Sequence, residues 1–391
     1  MIAWREPHSE HVAPPAQAMN LLRRAIAAAP ANALLRLRLA DVHLDRFEFA
    51  AAARELEAAR QAEPERQDIA IRLARCYNGL GRFDDALAAL AGDGGAVHER
   101  ALPLLGLGRD AAAEAELRAV LAADPAHRHA CWQLCRLLRR GGRYAELLEV
   151  CETLASKGVR HSQLLSDWSV ALALCGRTEE ARAILVDPSR MVERSLPVPE
   201  GFADIADFNA ALGDELLTNP SIVSDFPPEE ANRGSSRVHA LFGGRRPELV
   251  RGLLASLQAL IERDAPAAGR RFDPWAEARP AAARLRAWGL IQRGGDYEEW
   301  HIHRGGWLSG VYYVQLPAAV SEAEPDDARG CIEYGPPASL SRLMPGLVPP
   351  WRYRPREGAL LVAPSHYPHR TIPTGSDQPR ISFAFDVVPA D

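Results

Sequence analysis

The sequence lacks several things, and each absence narrows what the chain can do. A bilayer span needs about 20 consecutive apolar residues, and no such run is present. The first residues, Met1-Ile2-Ala3-Trp4-Arg5-Glu6-Pro7, have no apolar core of the kind a secretory signal carries. Neither sign of charge dominates: 46 basic residues stand against 51 acidic ones, so no global field draws nucleic acid or anionic lipid. Cysteine is scarce, with six residues at 76, 131, 135, 151, 175 and 331. Cys131 and Cys135 share a helix face, but no further cysteine or histidine pair completes a zinc set. The cysteines read as small buried hydrophobes of a reducing compartment, and the expected location is cytoplasmic. There is no Gly-rich phosphate loop and no Ser-His-Asp arrangement; Gly294-Gly295 and Gly305-Gly306 read as turns.

What is present begins with a period. The 391 residues suffice for two or three domains. Pro30 and Pro64 stand 34 residues apart, as do Phe49 and Phe83. Gly108, Gly142 and Gly176 keep the same step, each followed by arginine, whereas Gly81 to Gly108 is only 27, a shortened unit. Small residues recur where paired helices would cross, at Ala40, Ala74 and Ala101 and again at Ala52, Ala86, Ala113 and Ala181. Pro64, Pro125 and Pro188 close units, because proline cannot continue a helix. The pattern resembles the tetratricopeptide repeat over residues 16–190, in about five units with Ala16–Ala29 as a partial first one. Arg36 and Cys131 stand where a large aromatic is usual, and Pro103 is expected to interrupt a helix. One unit cannot bury its own apolar face, so the units stack into a concave superhelix. The resemblance implies a face that binds an extended peptide or a partner protein; alternatively, the repeats only support or dimerise the remainder.

The repeat ends at Leu196-Pro197-Val198-Pro199-Glu200-Gly201, dividing the chain into 1–195 and 196–391. Ala203–Thr218 reads as a helix, and Pro247–Arg263 as an amphipathic one with Leu249, Leu253, Leu257 and Leu260 on one face. Strand-like runs follow at Leu285–Gln292, up to Val314, and at Gly330–Tyr334, Gly358–Ala363 and Arg380–Val388. Such an order fits an α+β domain whose short strands form an antiparallel barrel or jelly roll. Pro317–Arg329 reads as a mobile acidic loop.

Within that half, Trp300-His301-Ile302-His303 places two histidines two residues apart. In extended backbone, period two turns both imidazoles to one face, as two ligands to one metal require. A third histidine ends Pro364-Ser365-His366-Tyr367-Pro368-His369, and eleven residues on comes Arg380-Ile381-Ser382. A close histidine pair, a distant histidine and a late-strand arginine resemble the non-haem iron, 2-oxoglutarate-dependent oxygenases. Leu308-Ser309-Gly310-Val311-Tyr312-Tyr313 and Arg380-Ile381-Ser382-Phe383-Ala384-Phe385 resemble one branch of them, over residues 197–391.

The resemblance implies a double-stranded β-helix (jelly-roll) core, Fe(II), 2-oxoglutarate as co-substrate and O2. It makes His301 and His369 iron ligands and Arg380 the partner of the co-substrate's far carboxylate. Ser382 would add a hydrogen bond, and one of Tyr312 and Tyr313 another, the second packing in the core. In those oxygenases the position of His303 usually holds aspartate or glutamate. Three readings stay open: His303 is a third neutral ligand, or it is unligated and water fills the position, or Asp296, Glu298 or Glu299 supplies a carboxylate. The two-histidine version resembles the aspartyl/asparaginyl β-hydroxylases, which also join a helical-repeat region to such a domain. His366 is expected at the rim, and Trp288 and Trp307 in the core or along the substrate wall. The implied activity is hydroxylation of a peptide or protein side chain presented by the repeats. The alternatives are an oxygenase of a small metabolite, and a binding or scaffold protein whose barrel has lost turnover.

Overall fold

A 34-residue period calls for paired helices, and the computed structural model, which describes residues 2–9, 15–91, 97–224, 226, 230–264, 272–347 and 349–390, contains them. Helix α1 (Pro15–Ala28) precedes the pairs α2 (Ala33–Asp45)/α3 (Phe49–Ala62), α4 (Gln67–Gly79)/α5 (Phe83–Ala89) and α6 (Val97–Gly106)/α7 (Asp110–Ala123). Two further pairs are α8 (Arg128–Arg140)/α9 (Tyr144–Ser156) and α10 (Ser162–Leu174)/α11 (Thr178–Ile184). All seven alanines of the expected crossings are buried at 0% exposure. Gly81, Gly108, Gly142 and Gly176 turn the chain inside their pairs with φ between 68° and 80°. Phe47, 34 residues before Gly81, holds φ 59° at the equivalent turn, a conformation unfavourable to any residue with a Cβ. The recurring phenylalanines are explained by contact: a Cβ on Gly79 or Gly106 would stand 2.6 Å from the ring of Phe49 or Phe83. Pro103 lies inside α6 without ending it, contrary to expectation.

The chain forms two compact units, Pro14–Val159 and Met1–Ala13 with Arg160–Asp391. The last helix pair thus packs with the second unit, although its sequence continues the repeat. Ser162 Oγ donates to the Gly306 carbonyl at 2.5 Å, Arg190 forms a buried pair with Asp273 at 2.8 Å, and Trp168 meets Phe272 edge-on. These long-range bonds, invisible to a periodicity argument, join the last helix pair to the second compact unit, which takes up the chain again at Arg160.

The strands of the second unit are β1 (Ala3–Trp4), β2 (His8–Ser9), β3 (Val192–Ser195), β4 (Ile222–Val223), β5 (Asn232–Arg233), β6 (Ser236–Val238) and β7 (Ala282–Gly294). They continue with β8 (Tyr297–Glu298), β9 (Leu308–Gln315), β10 (Ile332–Tyr334), β11 (Trp351–Tyr353), β12 (Ala359–Pro364), β13 (His369–Thr371) and β14 (Ser376–Pro389). Among the described residues the large sheet runs β3-β12-β9-β14-β7-β6-β4, antiparallel along this path, with β1 and β2 added parallel to β7. A small antiparallel sheet runs β11-β10-β13, and β5 pairs with β8. Helix α12 (Ile205–Leu217) covers one face of the large sheet, where Gly213 approaches Val314, Gln315 and Ile381. On the other face Tyr313 and Leu361 meet Tyr334 and Tyr353 of the small sheet in one buried cluster. The expectation of a helical repeat followed by a sheet-rich antiparallel domain holds. Helix α13 (Pro247–Asp264) matches the amphipathic run expected there. The acidic segment Pro317–Arg329 is more ordered than expected: it includes a short helix, Ala318–Ser321, and Arg354 donates to the Glu324 carbonyl at 2.8 Å. No helix among the described residues is long and apolar enough to cross a membrane.

Candidate active site

Strand β14 shows how the sequence builds the site. Residues 380–387 are all buried, yet they alternate. Ile381, Phe383, Phe385 and Val387 are apolar, and the ring of Phe385 fills the space beside Gly310 on the helix-covered face. Arg380, Ser382, Ala384 and Asp386 line a cavity of about 620 Å³ on the opposite face. Their cross-strand partners on β7 are Gln292, Leu290, Trp288 and Arg286, the last three lining the same cavity.

The three histidines meet here. His301 and His369 form an isolated bridge, each backbone N–H donating to the other's carbonyl at 3.0 Å, and the His303 N–H donates to the Ser365 carbonyl at 3.0 Å. The following turn is tight: a Cβ on Gly306 would stand 2.5 Å from Ser365 Oγ, so no side chain fits. Ring centroids lie 4.3–5.2 Å apart, and one nitrogen from each ring comes within 4.8 Å of the others. Each Nδ1 already faces an oxygen: the Glu299 carbonyl for His301 (2.7 Å), Asp386 Oδ1 for His303 (2.5 Å) and the Tyr367 carbonyl for His369 (2.9 Å). A carbonyl or carboxylate can only accept, so Nδ1 carries the proton and Nε2 is left with a lone pair. Burial and the neighbouring imidazoles push His301 well below its ordinary pKa, and burial with His303 pushes His369 down to about 3. Both rings are thus neutral near pH 7, the form that ligates metal.

Each carboxylate considered as an alternative has one oxygen engaged by another group, and Glu298 keeps its Oε1 buried without a partner. Glu298 lines the cavity, but its Oε2 pairs with Arg237 at 3.1 Å, and burial, only partly offset by Arg237, raises its pKa. Glu299 Oε1 accepts the Trp300 N–H at 2.9 Å, and Asp296 Oδ2 the Arg293 N–H at 2.8 Å. Among the described residues, the grouping suited to a metal is His301, His303 and His369.

Arg380 is 1% exposed, and its Nη1 donates to Gln292 Oε1 at 3.1 Å. Gln292 is oriented in turn by donating to Ser235 Oγ (3.1 Å) and Thr371 Oγ1 (3.2 Å). The guanidinium stands 5.4 Å from the Tyr313 ring centroid. Arg380 Nε, Ser382 Oγ and the Tyr313 hydroxyl are buried without a hydrogen-bond partner. Leaving such atoms unsatisfied costs about 1–3 kcal/mol each, and a buried guanidinium with two hydroxyls suits a carboxylate. The residues present therefore fit both a divalent iron, through neutral imidazoles with positions left open, and an anionic co-substrate.

Two expected residues are turned elsewhere. The Tyr312 hydroxyl donates to Asn209 of α12 at 2.6 Å, on the helix-covered face, so Tyr313 is the tyrosine on the cavity side. His366 is not at the rim: it is buried, donates from Nε2 to the Ile184 carbonyl at 2.8 Å, and burial lowers its pKa to about 4. Trp288 walls the cavity and stacks on His303, whereas Trp307 stacks on Trp275 in the core, the two indoles exchanging N–H bonds to each other's carbonyls. Sequence reasoning missed Gln292 and Asp386. The available signal was parity, since Asp386 shares its strand face with Arg380 and Ser382.

Residues 286–386 match the family described as "Putative 2OG-Fe(II) oxygenase", and residues 43–96 match a tetratricopeptide repeat. The chain thus pairs a tetratricopeptide-repeat region with an oxygenase-type domain, as the motifs suggested. Similar solved structures include a Pseudomonas putida prolyl-4-hydroxylase, 16% identical over 54% of this chain and 100% of that one, with TM-score 0.34. They also include Pseudomonas aeruginosa pilF (17%, 44% of this chain and 81% of that one, TM-score 0.38). A third is SnoN, a non-heme alpha ketoglutarate dependent epimerase from nogalamycin biosynthesis (18%, 55% and 84%, TM-score 0.35). No curated protein matches the chain.

Proposed function

We propose that the second unit holds Fe(II) on His301, His303 and His369, binds 2-oxoglutarate through Arg380, and hydroxylates a side chain of a peptide or protein bound by the helical repeats. The observation that carries this reading is the convergence of three imidazoles in one cavity with a buried guanidinium. When bound, iron with 2-oxoglutarate and O2 supplies oxidising power that no side chain has. The chain's part is to bind, orient and exclude water. The Glu299 and Tyr367 carbonyls and Asp386 fix the imidazole tautomers. Arg380 Nε, Ser382 Oγ and the Tyr313 hydroxyl offer donors to a carboxylate, with Gln292 steadying the guanidinium. Trp288 and Leu290 give the cavity an apolar wall.

Succinate formation by the full chain with Fe(II), 2-oxoglutarate and O2 tests the reading, and we expect candidate peptides to stimulate it. The cavity volume of about 620 Å³ falls in the range of small-molecule pockets and favours a metabolite as the second reading. In that case small molecules, not peptides, stimulate turnover. An iron-loaded chain that makes no succinate with either panel is not an oxygenase.

A further inference from the structure

Asp386 ends on the triad although no motif called for it. It is 0% exposed, with Oδ1 accepting from His303 Nδ1 at 2.5 Å and Oδ2 from Arg286 Nη2 at 2.6 Å. Its place is set by the large sheet, where it lies opposite Arg286 on β7 and Ser309 on β9. Trp288, stacked on His303 with centroids 5.7 Å apart, limits how the imidazole can turn. The three histidines are therefore unlike. His301 and His369 rest their Nδ1 protons on neutral carbonyls, whereas His303 rests its proton on an anion.

We propose that Asp386 is a positioning residue that makes His303 a strong metal ligand, its carboxylate charge reaching the metal through the imidazole instead of by direct coordination. The proposal rests on the metal reading above and deepens it. The sequence has histidine where the oxygenases it resembles usually carry a carboxylate ligand. Here a carboxylate stands one residue further from the metal. An anion that accepts the Nδ1 proton draws positive charge to that side of the ring and enriches the Nε2 lone pair, which strengthens the bond to a cation. Arg286, whose side chain is 37% exposed, faces the other carboxylate oxygen. It helps hold the anion in a buried position, where an unpaired carboxylate would be strongly disfavoured.

The test is anaerobic titration of Fe(II) into the full chain, wild type against Asp386→Asn. Asparagine keeps the shape and can still accept from Nδ1 through Oδ1, so charge is what changes. We expect Fe(II) affinity to fall about 10–100-fold while the thermal unfolding transition stays cooperative. The double variant His303→Asp/Asp386→Asn returns a carboxylate to the metal itself and should recover most of that loss, which a merely structural role for Asp386 would not permit. If Asp386→Asn alone fails to fold because the Arg286 guanidinium loses this anion, Arg286→Gln/Asp386→Asn removes both charges and is expected to bind Fe(II) at least about tenfold more weakly than wild type. Wild-type affinity in the folded variant overturns the proposal. A wild-type chain that takes up no Fe(II) overturns it together with the metal reading, whereas uptake by wild type with equal uptake by the variant overturns the relay alone.

Discussion

The two faces of β14 are equally buried and chemically opposite. Ile381, Phe383, Phe385 and Val387 occupy one, Arg380, Ser382, Ala384 and Asp386 the other. On the first, burial is its own reward: apolar area leaves water at about 25 cal/mol per Å². On the second, burial is unfavourable unless something answers the polar atoms, and Arg380 Nε and Ser382 Oγ have no protein partner. The comparison teaches where in a sheet to look for function. An inward-facing strand face whose buried polar atoms the fold leaves unanswered is the place to look for a ligand.

Substitutions on the two faces should therefore fail differently. Arg380→Ala is expected to weaken 2-oxoglutarate binding to the iron-loaded protein by about 3–5 kcal/mol, as for any buried charge pair broken on one side. That is about two to three and a half decades in Kd, read by titration, with the melting temperature little lowered. Arg380→Lys keeps the charge without the fork and should fall between alanine and wild type. Phe385→Ala, one face over, should cost about 3–5 kcal/mol of folding stability in denaturant titration, with metal stoichiometry kept in the folded fraction. Equal losses of ligand binding for Arg380→Ala and Phe385→Ala would erase the distinction between the faces.

How much of this was legible in the sequence follows from the range of each interaction. The 34-residue step located the helix pairs because neighbouring units repeat the same local contacts, such as Phe49 on Gly79 and Phe83 on Gly106. The strands were legible from alternation between Gly and Pro stops. The histidine pair was legible from spacing, although His301 sits at an isolated bridge and His303 in irregular backbone before the turn, not in a regular strand. What could not be read depends on cross-strand register or on contacts between distant segments. Asp386 finds Arg286 across 100 residues, Gln292 finds Arg380 across 88, and Ser162 finds Gly306 across 144. Parity made Tyr312 and Tyr313 alternatives, but only the position of α12 decides which face is covered.

Smaller effects sharpen the same contrast. Ser382→Ala should weaken 2-oxoglutarate binding by about 1–3 kcal/mol, the worth of one hydrogen bond to a charged group, and leave stability near wild type. Gly106→Ala probes the helical unit, where its Cβ would meet the Phe83 ring at 2.6 Å. Overpacking of this kind costs about 1–3 kcal/mol. It should show in thermal unfolding, with 2-oxoglutarate affinity unchanged. Should Gly106→Ala prove neutral, the half-buried Phe83 ring yields more readily than its close approach to Gly106 implies.

The central claim is that three histidines hold one iron. Its most direct test is the stoichiometry of Fe(II) bound anaerobically by wild type and by His301→Ala, His303→Ala and His369→Ala, each checked for cooperative unfolding. We expect one equivalent on wild type and sharply reduced occupancy in all three variants. One equivalent retained by His303→Ala would return the third position to water or a loop carboxylate, and occupancy equal to wild type in all three would contradict the metal site altogether.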